Sequence, residues 1–304
     1  MKKDIKNIQA SIRARLQNIA KETGRPFSEI LQYYGMERFL YRFSCSEYAD
    51  NFILKGALMF TVWRVPERRT TLDIDFSALY NDQTGTIERM IKKVCEVPVT
   101  PDGLIFDPAI VKGKKIKENA DYEGVRVKFR GFLGRSRITM QIDVAFGDVI
   151  YPKPKFIDYP VILDLPKPRL KGYTAESIVS EKFESIVKLG SLNSRMKDFY
   201  DLLLMSRQFD FDGIKLNEAL KRTFGHRKTL LPEHKPLFAE EIFNERSDRQ
   251  TLWKAFLKKG AIKHVPERLS DTAREIEEFL IMPLCAISNR RKFNKTWKSA
   301  GPWE

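Results

Sequence analysis

Arg69-Thr-Thr-Leu-Asp-Ile-Asp-Phe76 is the stretch whose reading decides the fold. Asp73 and Asp75 stand two apart among Thr71, Leu72, Ile74 and Phe76, the pattern of a half-buried strand with both carboxylates on one face. Two acidic side chains on one rigid edge suit a pair of Mg²⁺ ions about 3.5–4 Å apart, the arrangement that holds a nucleotide's phosphates while an oxygen attacks in line. The competing reading is structural, with the pair capping turns or bonding Arg68 and Arg69. Upstream, Phe52-Ile-Leu-Lys-Gly-Ala-Leu-Met-Phe60 reads as a short apolar strand, a turn at Lys55-Gly56 and a helix from about Ala57. Gly56 lacks a Cβ, so backbone N–H groups at that turn can approach an anion closely.

Downstream, Thr84 to Val97 reads as a helix through Ile87, Met90, Ile91 and Val94. Gly124-Val-Arg-Val-Lys-Phe-Arg130 and Arg137-Ile-Thr-Met-Gln-Ile-Asp-Val-Ala-Phe146 then alternate as strands, with Gly131 and Gly134 in a hairpin connection. Asp143 lies inside the second strand, where an unpaired charge is costly to bury. It is the expected third metal carboxylate beside Asp73 and Asp75, or else an edge residue pairing with Arg126 or Lys128. Alternation places Arg126, Lys128 and Arg130 opposite Val125, Val127 and Phe129, a cationic stripe suited to RNA phosphates. Five prolines between Tyr151 and Pro168 make that segment extended and mark a domain boundary.

Both ends of the chain read as helical. Ile5, Ile8, Ile12, Leu16 and Ile19 give an amphipathic first helix ending near Gly24, and a second starts near Pro26. Thr174 to Gly190 opens at a capping Thr and closes at a Gly, with Val179, Phe183, Ile186 and Val187 buried. Lys182 emerges at the edge of that stripe. The next helix begins around Asn193-Ser-Arg-Met-Lys-Asp-Phe-Tyr-Asp201, with Asp198 and Asp201 on one face and Arg195 and Lys197 at hand. Further helices are expected over Lys215 to Thr223, Phe238 to Lys258 and Asp271 to Ile281. His226, His234 and His264 lack metal-ligand spacing. Trp253 at helical spacing is a core residue, whereas Trp297 and Trp303 are candidates for stacking on bases.

The 304-residue chain carries a formal charge of +14. Lys112 to Arg137 holds nine basic against three acidic residues, Lys221 to Arg268 twelve against six, and Arg290 to Lys298 five against none, which suits polyphosphate or nucleic acid. Leu280 to Ile287, the longest apolar run, is far short of the roughly 20 residues that span a bilayer, and the N-terminus has no apolar signal core. A cytoplasmic location and no membrane partner are therefore expected. Cys45, Cys95 and Cys285 are too widely spaced for a zinc ribbon and read as buried thiols.

Taken together, Gly56, Arg69-x-Thr71-x-Asp73-x-Asp75, Tyr122-Glu-Gly-Val-Arg-Val, Gln141-Ile-Asp-Val-Ala-Phe-Gly-Asp148, Glu181-Lys-Phe-Glu-Ser-Ile-Val187 and Gly190-Ser-Leu-Asn-Ser-Arg-Met-Lys-Asp-Phe-Tyr-Asp-Leu202 resemble, in order and spacing, the motifs of the AbiEii/AbiGii toxins. These are DNA polymerase β-type nucleotidyltransferases, and the likeness runs from about Phe52 to Arg207. It implies an α+β fold: a nucleotidyltransferase mixed-sheet core (46–168) with N-terminal helices (1–45) and a C-terminal helical domain (169–304). It also implies Asp73, Asp75, Lys182 and Asp198 as catalytic residues, with Asp73 and Asp75 as metal ligands. Lys55, Gly56, Arg69, Thr71, Lys182, Arg195, Lys197 and Asp201 fall on the nucleotide-binding side. One departure is Ala57, where many polymerase β-type enzymes have Ser, which removes a hydroxyl from the phosphate site. The resemblance implies Mg²⁺ as cofactor, an NTP as co-substrate, RNA with the tRNA 3′ end as acceptor, and a separately encoded antitoxin as partner. Transfer to a protein or small molecule, and a non-catalytic nucleotide- or RNA-binding module, stay open at this point.

Overall fold

The Asp-x-Asp strand lies inside an eight-stranded mixed sheet in the computed structural model, which describes residues 7–79, 84–119 and 122–304. Ile5, assigned above to the first helix, lies outside the described residues. Contacts divide the chain into two units: residues 1–64, 71–148 and 155–172 in the first, and 65–70, 149–154 and 173–304 in the second.

The first unit holds helices α1 (Ile8–Thr23), α2 (Phe27–Ser44), α3 (Leu58–Val62) and α4 (Thr84–Cys95). Its strands are β1 (Phe52–Lys55), β2 (Asp73–Ala78), β3 (Leu104–Phe106), β4 (Lys112–Asn119), β5 (Tyr122–Leu133), β6 (Ser136–Phe146), β7 (Lys155–Asp158) and β8 (Arg169–Gly172). Their order is β3-β5-β6-β2-β1-β8-β7, and β4 pairs with β5 beside β3. Strands β2 and β6 are parallel and central, and β1 flanks β2 antiparallel. The N-terminal helices thus share a core with the sheet. Phe39 of α2 meets Phe106 and Phe129 edge-on or tilted, and Phe43 stacks on Phe76 with centroids 4.7 Å apart. Each such ring contributes about 1.5–3 kcal/mol by leaving water. Burial alternates along β2, with Ile74 and Phe76 inside and Asp73 and Asp75 half-buried on the other face, so the period-2 reading of the sequence is the real one.

Polar groups beneath α2 are paired: Arg42 donates to both oxygens of Asp102 at 2.6 and 3.0 Å, and Glu37 accepts from Ile162 N–H at 2.7 Å. Strand β7 runs through the proline-rich segment as an edge strand, where residues without an N–H are tolerated.

The second unit is mostly helical: α5 (Ala175–Leu189), α6 (Met196–Gln208), α7 (Gly213–His226), α8 (Glu240–Phe243), α9 (Asp248–Lys259) and α10 (Leu269–Ser288), with a small ribbon of β9 (Phe211–Asp212) and β10 (Thr296–Trp297). Thr174 Oγ1 accepts from Ser177 N–H and starts α5, and Gly190 ends it. The helix expected over 238–258 is interrupted because Ser247 caps a new helix start at Asp248. Helix α10 continues past Ile281 to Ser288 with Pro283 inside it. Proline cannot bond the Phe279 carbonyl, and Trp303 Nε1–H supplies that bond instead at 2.8 Å. Trp297 donates to Ser206 O at 2.7 Å and Trp253 to Pro266 O at 3.0 Å. All three indoles are buried; Trp297 and Trp303 are therefore core residues, contrary to the base-stacking expectation. No described helix is long and apolar enough to cross a membrane.

Candidate active site

Strand pairing in the first unit assembles one group of the expected residues. Asp75 lies opposite Lys55 on β1 and opposite Asp143 on β6, with Asp73 opposite Gln141. Asp73, Asp75 and Asp143 therefore stand on neighbouring parallel strands, and Asp75 and Asp143 share a register row.

The turn after β1 shows why Gly56 is needed. Its φ is +70°, and an added Cβ would fall 2.0 Å from Asp75 Oδ2. The missing side chain is space occupied by the Asp75 carboxylate, a tighter requirement than the phosphate approach read from sequence. Helix α3 that follows is only five residues long, so it brings little dipole to the turn. Thr71 Oγ1 accepts from Asp73 N–H at 3.4 Å and its own N–H donates to Tyr33 Oη at 3.2 Å, which orders the entry to β2. Lys55 Nζ sits 2.6 Å from Asp148 Oδ2, a carboxylate only 1 % exposed. Asp148 was quoted above as part of a motif without a role of its own; its position directly after the Gly147 turn at the end of β6 was the available signal.

Asp143 is bound at both oxygens, Oδ1 by Arg126 Nε at 2.8 Å and Oδ2 by Arg126 Nη2 at 2.6 Å. The pairing ties Arg126 into the sheet and leaves Lys128 and Arg130 as the exposed members of the stripe, backed by buried Val125, Val127 and Phe129. Lys112 on β4 faces Lys128 across the ladder, and Lys114 faces Arg126. Asp73 and Asp75, two hard oxygen donors on one face, fit a divalent cation chemically. Among the described residues, however, no three His, Cys, Asp or Glu side chains form a ready metal cluster.

The second group is an ion network within the second unit. Lys182 on α5 sits 2.9 Å from Asp198 Oδ1 and 2.6 Å from Asp201 Oδ2, both on α6. Arg195 Nε meets Asp198 Oδ2 at 2.9 Å, and Arg69 grips both oxygens of Asp201 at 3.0 Å. The carboxylates are 2 % and 1 % exposed. Among the described contacts, three cations surround these two carboxylates. Burial works against charge on Lys182, but Asp198 and Asp201 outweigh it and hold its pKa above the ordinary value. Burial likewise opposes charge on Asp198, and Lys182 and Arg195 overcome it to hold that carboxyl below its usual range. With cations set against both carboxylates, the network holds positive charge in a fixed arrangement. Lys197 is exposed and makes no ion pair among the described residues. In the same motif Glu184, fully buried, accepts from Arg227 Nη1 at 2.7 Å and Thr229 Oγ1 at 2.6 Å, tying α5 to the loop after α7.

A family model for the AbiEii toxin, a nucleotidyl transferase of type IV toxin–antitoxin systems, matches residues 38–276. Among solved structures, the chain is similar to a candidate nucleotidyltransferase from H. pylori (14% identity, 83% of this chain and 93% of that one, TM-score 0.44). It is also similar to JHP933 from Helicobacter pylori (12% identity, 83% and 94%, TM-score 0.40). A further similar structure is an antigenic nucleotidyltransferase-like protein from Paracoccidioides brasiliensis (12% identity, 89% and 93%, TM-score 0.31). No curated protein sequence matches the chain. With the match extending from α2 into α10 and spanning both the Asp-x-Asp strand and the Lys182 network, the chain belongs to the AbiEii family of nucleotidyl transferase toxins.

Proposed function

We propose that this nucleotidyl transferase is Mg²⁺-dependent and transfers a nucleotide from an NTP to the 3′ end of RNA, with tRNA as the acceptor, so that translation stops. The observation carrying this reading is the pair Asp73 and Asp75 on one face of β2, with Gly56 making room for the Asp75 carboxylate. In this reading Asp73 and Asp75 hold the divalent ion, which supplies charge neutralisation at the reacting phosphate. Within the second unit Lys182, Arg69 and Arg195 form a cationic group suited to nucleotide phosphates, and Asp198 and Asp201 hold those three cations in position. Bond formation between the RNA 3′ oxygen and the α-phosphorus expels pyrophosphate. Lys128 and Arg130 contact RNA phosphates, beside Arg126, which Asp143 holds in the sheet. Lys55, held by Asp148, steadies the β1 turn.

Family membership brings a nucleotide substrate and an antitoxin partner; an RNA acceptor is supported by the basic surface. Incubation with each α-labelled NTP, purified tRNA and Mg²⁺, with an EDTA control, tests the reading. Label in tRNA that EDTA abolishes is the expected result. Label only in protein or a small molecule redirects the acceptor, and transfer indifferent to EDTA removes the metal from the account.

A further inference from the structure

The second unit contains a cavity of about 880 Å³ between α7 and the segment that follows α10. Lys221 and Arg222 line it from α7, and Arg290, Arg291 and Lys292 line it from the other side. All five are exposed, and the one carboxylate in the wall, Glu218, is taken by Arg222 at 2.5 Å. Lys221, Arg290, Arg291 and Lys292 have no ion-pair partner among the described residues. Four uncompensated cations around one cavity repel one another, a cost that a bound polyanion removes. Arg290 also adopts φ +52°, in the left-handed region where glycine is favoured, so the chain keeps a charged side chain where a small one is easier.

The floor is of another character. Ile214, Ile287 and Phe293 give it an apolar surface, and Arg222 stacks over the Tyr151 ring at 4.4 Å. Cations around an apolar floor suit a ligand that has phosphates and flat bases. An Mg²⁺-bound nucleoside triphosphate fits less well than a polynucleotide strand, because no free carboxylate is present to share the metal.

We infer that this cavity is a docking site for an RNA strand, its phosphates held by Lys221, Arg290, Arg291 and Lys292 and a base seated on the apolar floor. The inference rests on the RNA acceptor proposed above and adds a second contact surface to the β5 stripe. Phosphate contacts position a strand without reading its sequence, so binding is tolerant of base composition and sensitive to salt.

The test uses the full chain carrying Lys221→Gln, Arg290→Gln, Arg291→Gln and Lys292→Gln together, with Arg291→Gln/Lys292→Gln as a milder variant. Fluorescence anisotropy with a labelled single-stranded RNA reads affinity from low to high salt, and thermal unfolding checks the fold. The expected result is an affinity loss of at least tenfold near 100 mM salt. The slope of log affinity against log salt should flatten by about 3 for the quadruple variant and about 1.4 for the double, from roughly 0.7 per phosphate contact on a single strand. Affinity and slope equal to wild type in folded variants overturn the inference, as does Mg²⁺–ATP displacing the RNA from wild type but not from the quadruple variant, since the cavity is then a nucleotide site. The acceptor reading fails separately: if wild type transfers no label to RNA while the quadruple variant still loses RNA binding, the docking site stands and that reading falls.

Discussion

Replacing Lys182 by Met removes the centre of the buried ion network while keeping most of its volume. The lysine is 12 % exposed and touches two carboxylates that are 2 % and 1 % exposed, at 2.9 and 2.6 Å. Each contact represents roughly 6 kcal/mol of gross attraction at an effective dielectric of about 20. Most of that sum offsets the desolvation of Lys182 itself, which Met does not incur. Removing one partner of a buried pair costs about 3–5 kcal/mol because the other charge is stranded. Here Arg195 and Arg69 remain on Asp198 and Asp201, so the lower end, about 3 kcal/mol, is expected. At about 2–4 °C per kcal/mol the midpoint of thermal unfolding at pH 7 should fall by roughly 6–12 °C. Adding Asp198→Asn to Lys182→Met leaves Arg195 without its carboxylate and should deepen the loss, and a double-mutant cycle measures the coupling of Lys182 with Asp198 directly. The pH dependence has a fixed sign. The depressed Asp198 carboxyl contributes stability above its ordinary 3.8 that is lost as pH falls through its lower folded value. The raised Lys182 ammonium contributes stability below its ordinary 10.5 that is lost as pH rises through its higher folded value. The penalty of Lys182→Met should therefore be constant near neutrality and shrink in strong acid and strong alkali. A variant within 1 kcal/mol of wild type at pH 7, as an order of magnitude for a surface pair, refutes the reasoning.

Gly56→Ala should destabilise by about 1–3 kcal/mol, from left-handed backbone strain and the Cβ collision with Asp75, and should cut transfer at least tenfold by displacing that carboxylate; wild-type kcat in a folded Gly56→Ala protein contradicts this. Burial beneath α2 raises the Glu37 carboxyl to about 7 against the pull of Arg38 and Ile162 N–H, so its contribution to stability is full below 4.5 and lost as pH rises through about 7. The stability of Glu37→Gln relative to wild type should accordingly rise by on the order of 2 kcal/mol between pH 5 and pH 8, and a difference flat with pH in paired denaturant titrations removes the assignment. Lys128→Gln with Arg130→Gln spares the Asp143–Arg126 pair, and it should weaken RNA binding and lower the salt slope by about 1.4 on a single strand; unchanged salt titrations place RNA elsewhere.

The parts of the fold legible in the sequence were those with strong periodicity or caps. The alternation of Ile74 and Phe76 with Asp73 and Asp75 located β2, the Val125–Phe129 alternation located β5, and Thr174 with Gly190 bounded α5. Strand β4 was not legible, because Lys112, Lys114 and Lys115 occupy an edge position where pairing with β5, rather than burial, makes the strand. Continuation of α10 through Pro283 depended on Trp303, twenty residues further on, meeting the carbonyl that the proline leaves open. At the candidate site the sequence located the carboxylates and left the choice of partner open. The sequence offered Arg126 or Lys128 as partners of Asp143, and the sheet register selects Arg126, which lies across from Asp143 and bonds both oxygens. Likewise Arg69 and Asp201 are 132 positions apart and meet only in the folded second unit.

The most direct test of the central claim is the rate of labelled-nucleotide transfer to tRNA by Asp73→Asn and Asp75→Asn proteins at saturating NTP and Mg²⁺, alongside their unfolding midpoints. Each substitution removes one hard oxygen ligand, and the several kcal/mol lost from charge stabilisation in the transition state corresponds to a rate loss of about a hundredfold or more. Both carboxylates are half-buried on the face of β2 away from the packed Ile74 and Phe76, so the midpoints should stay near wild type. Loss of transfer with retained stability is the predicted result; near-normal transfer by either folded variant contradicts the assignment of Asp73 and Asp75 as the metal-holding pair.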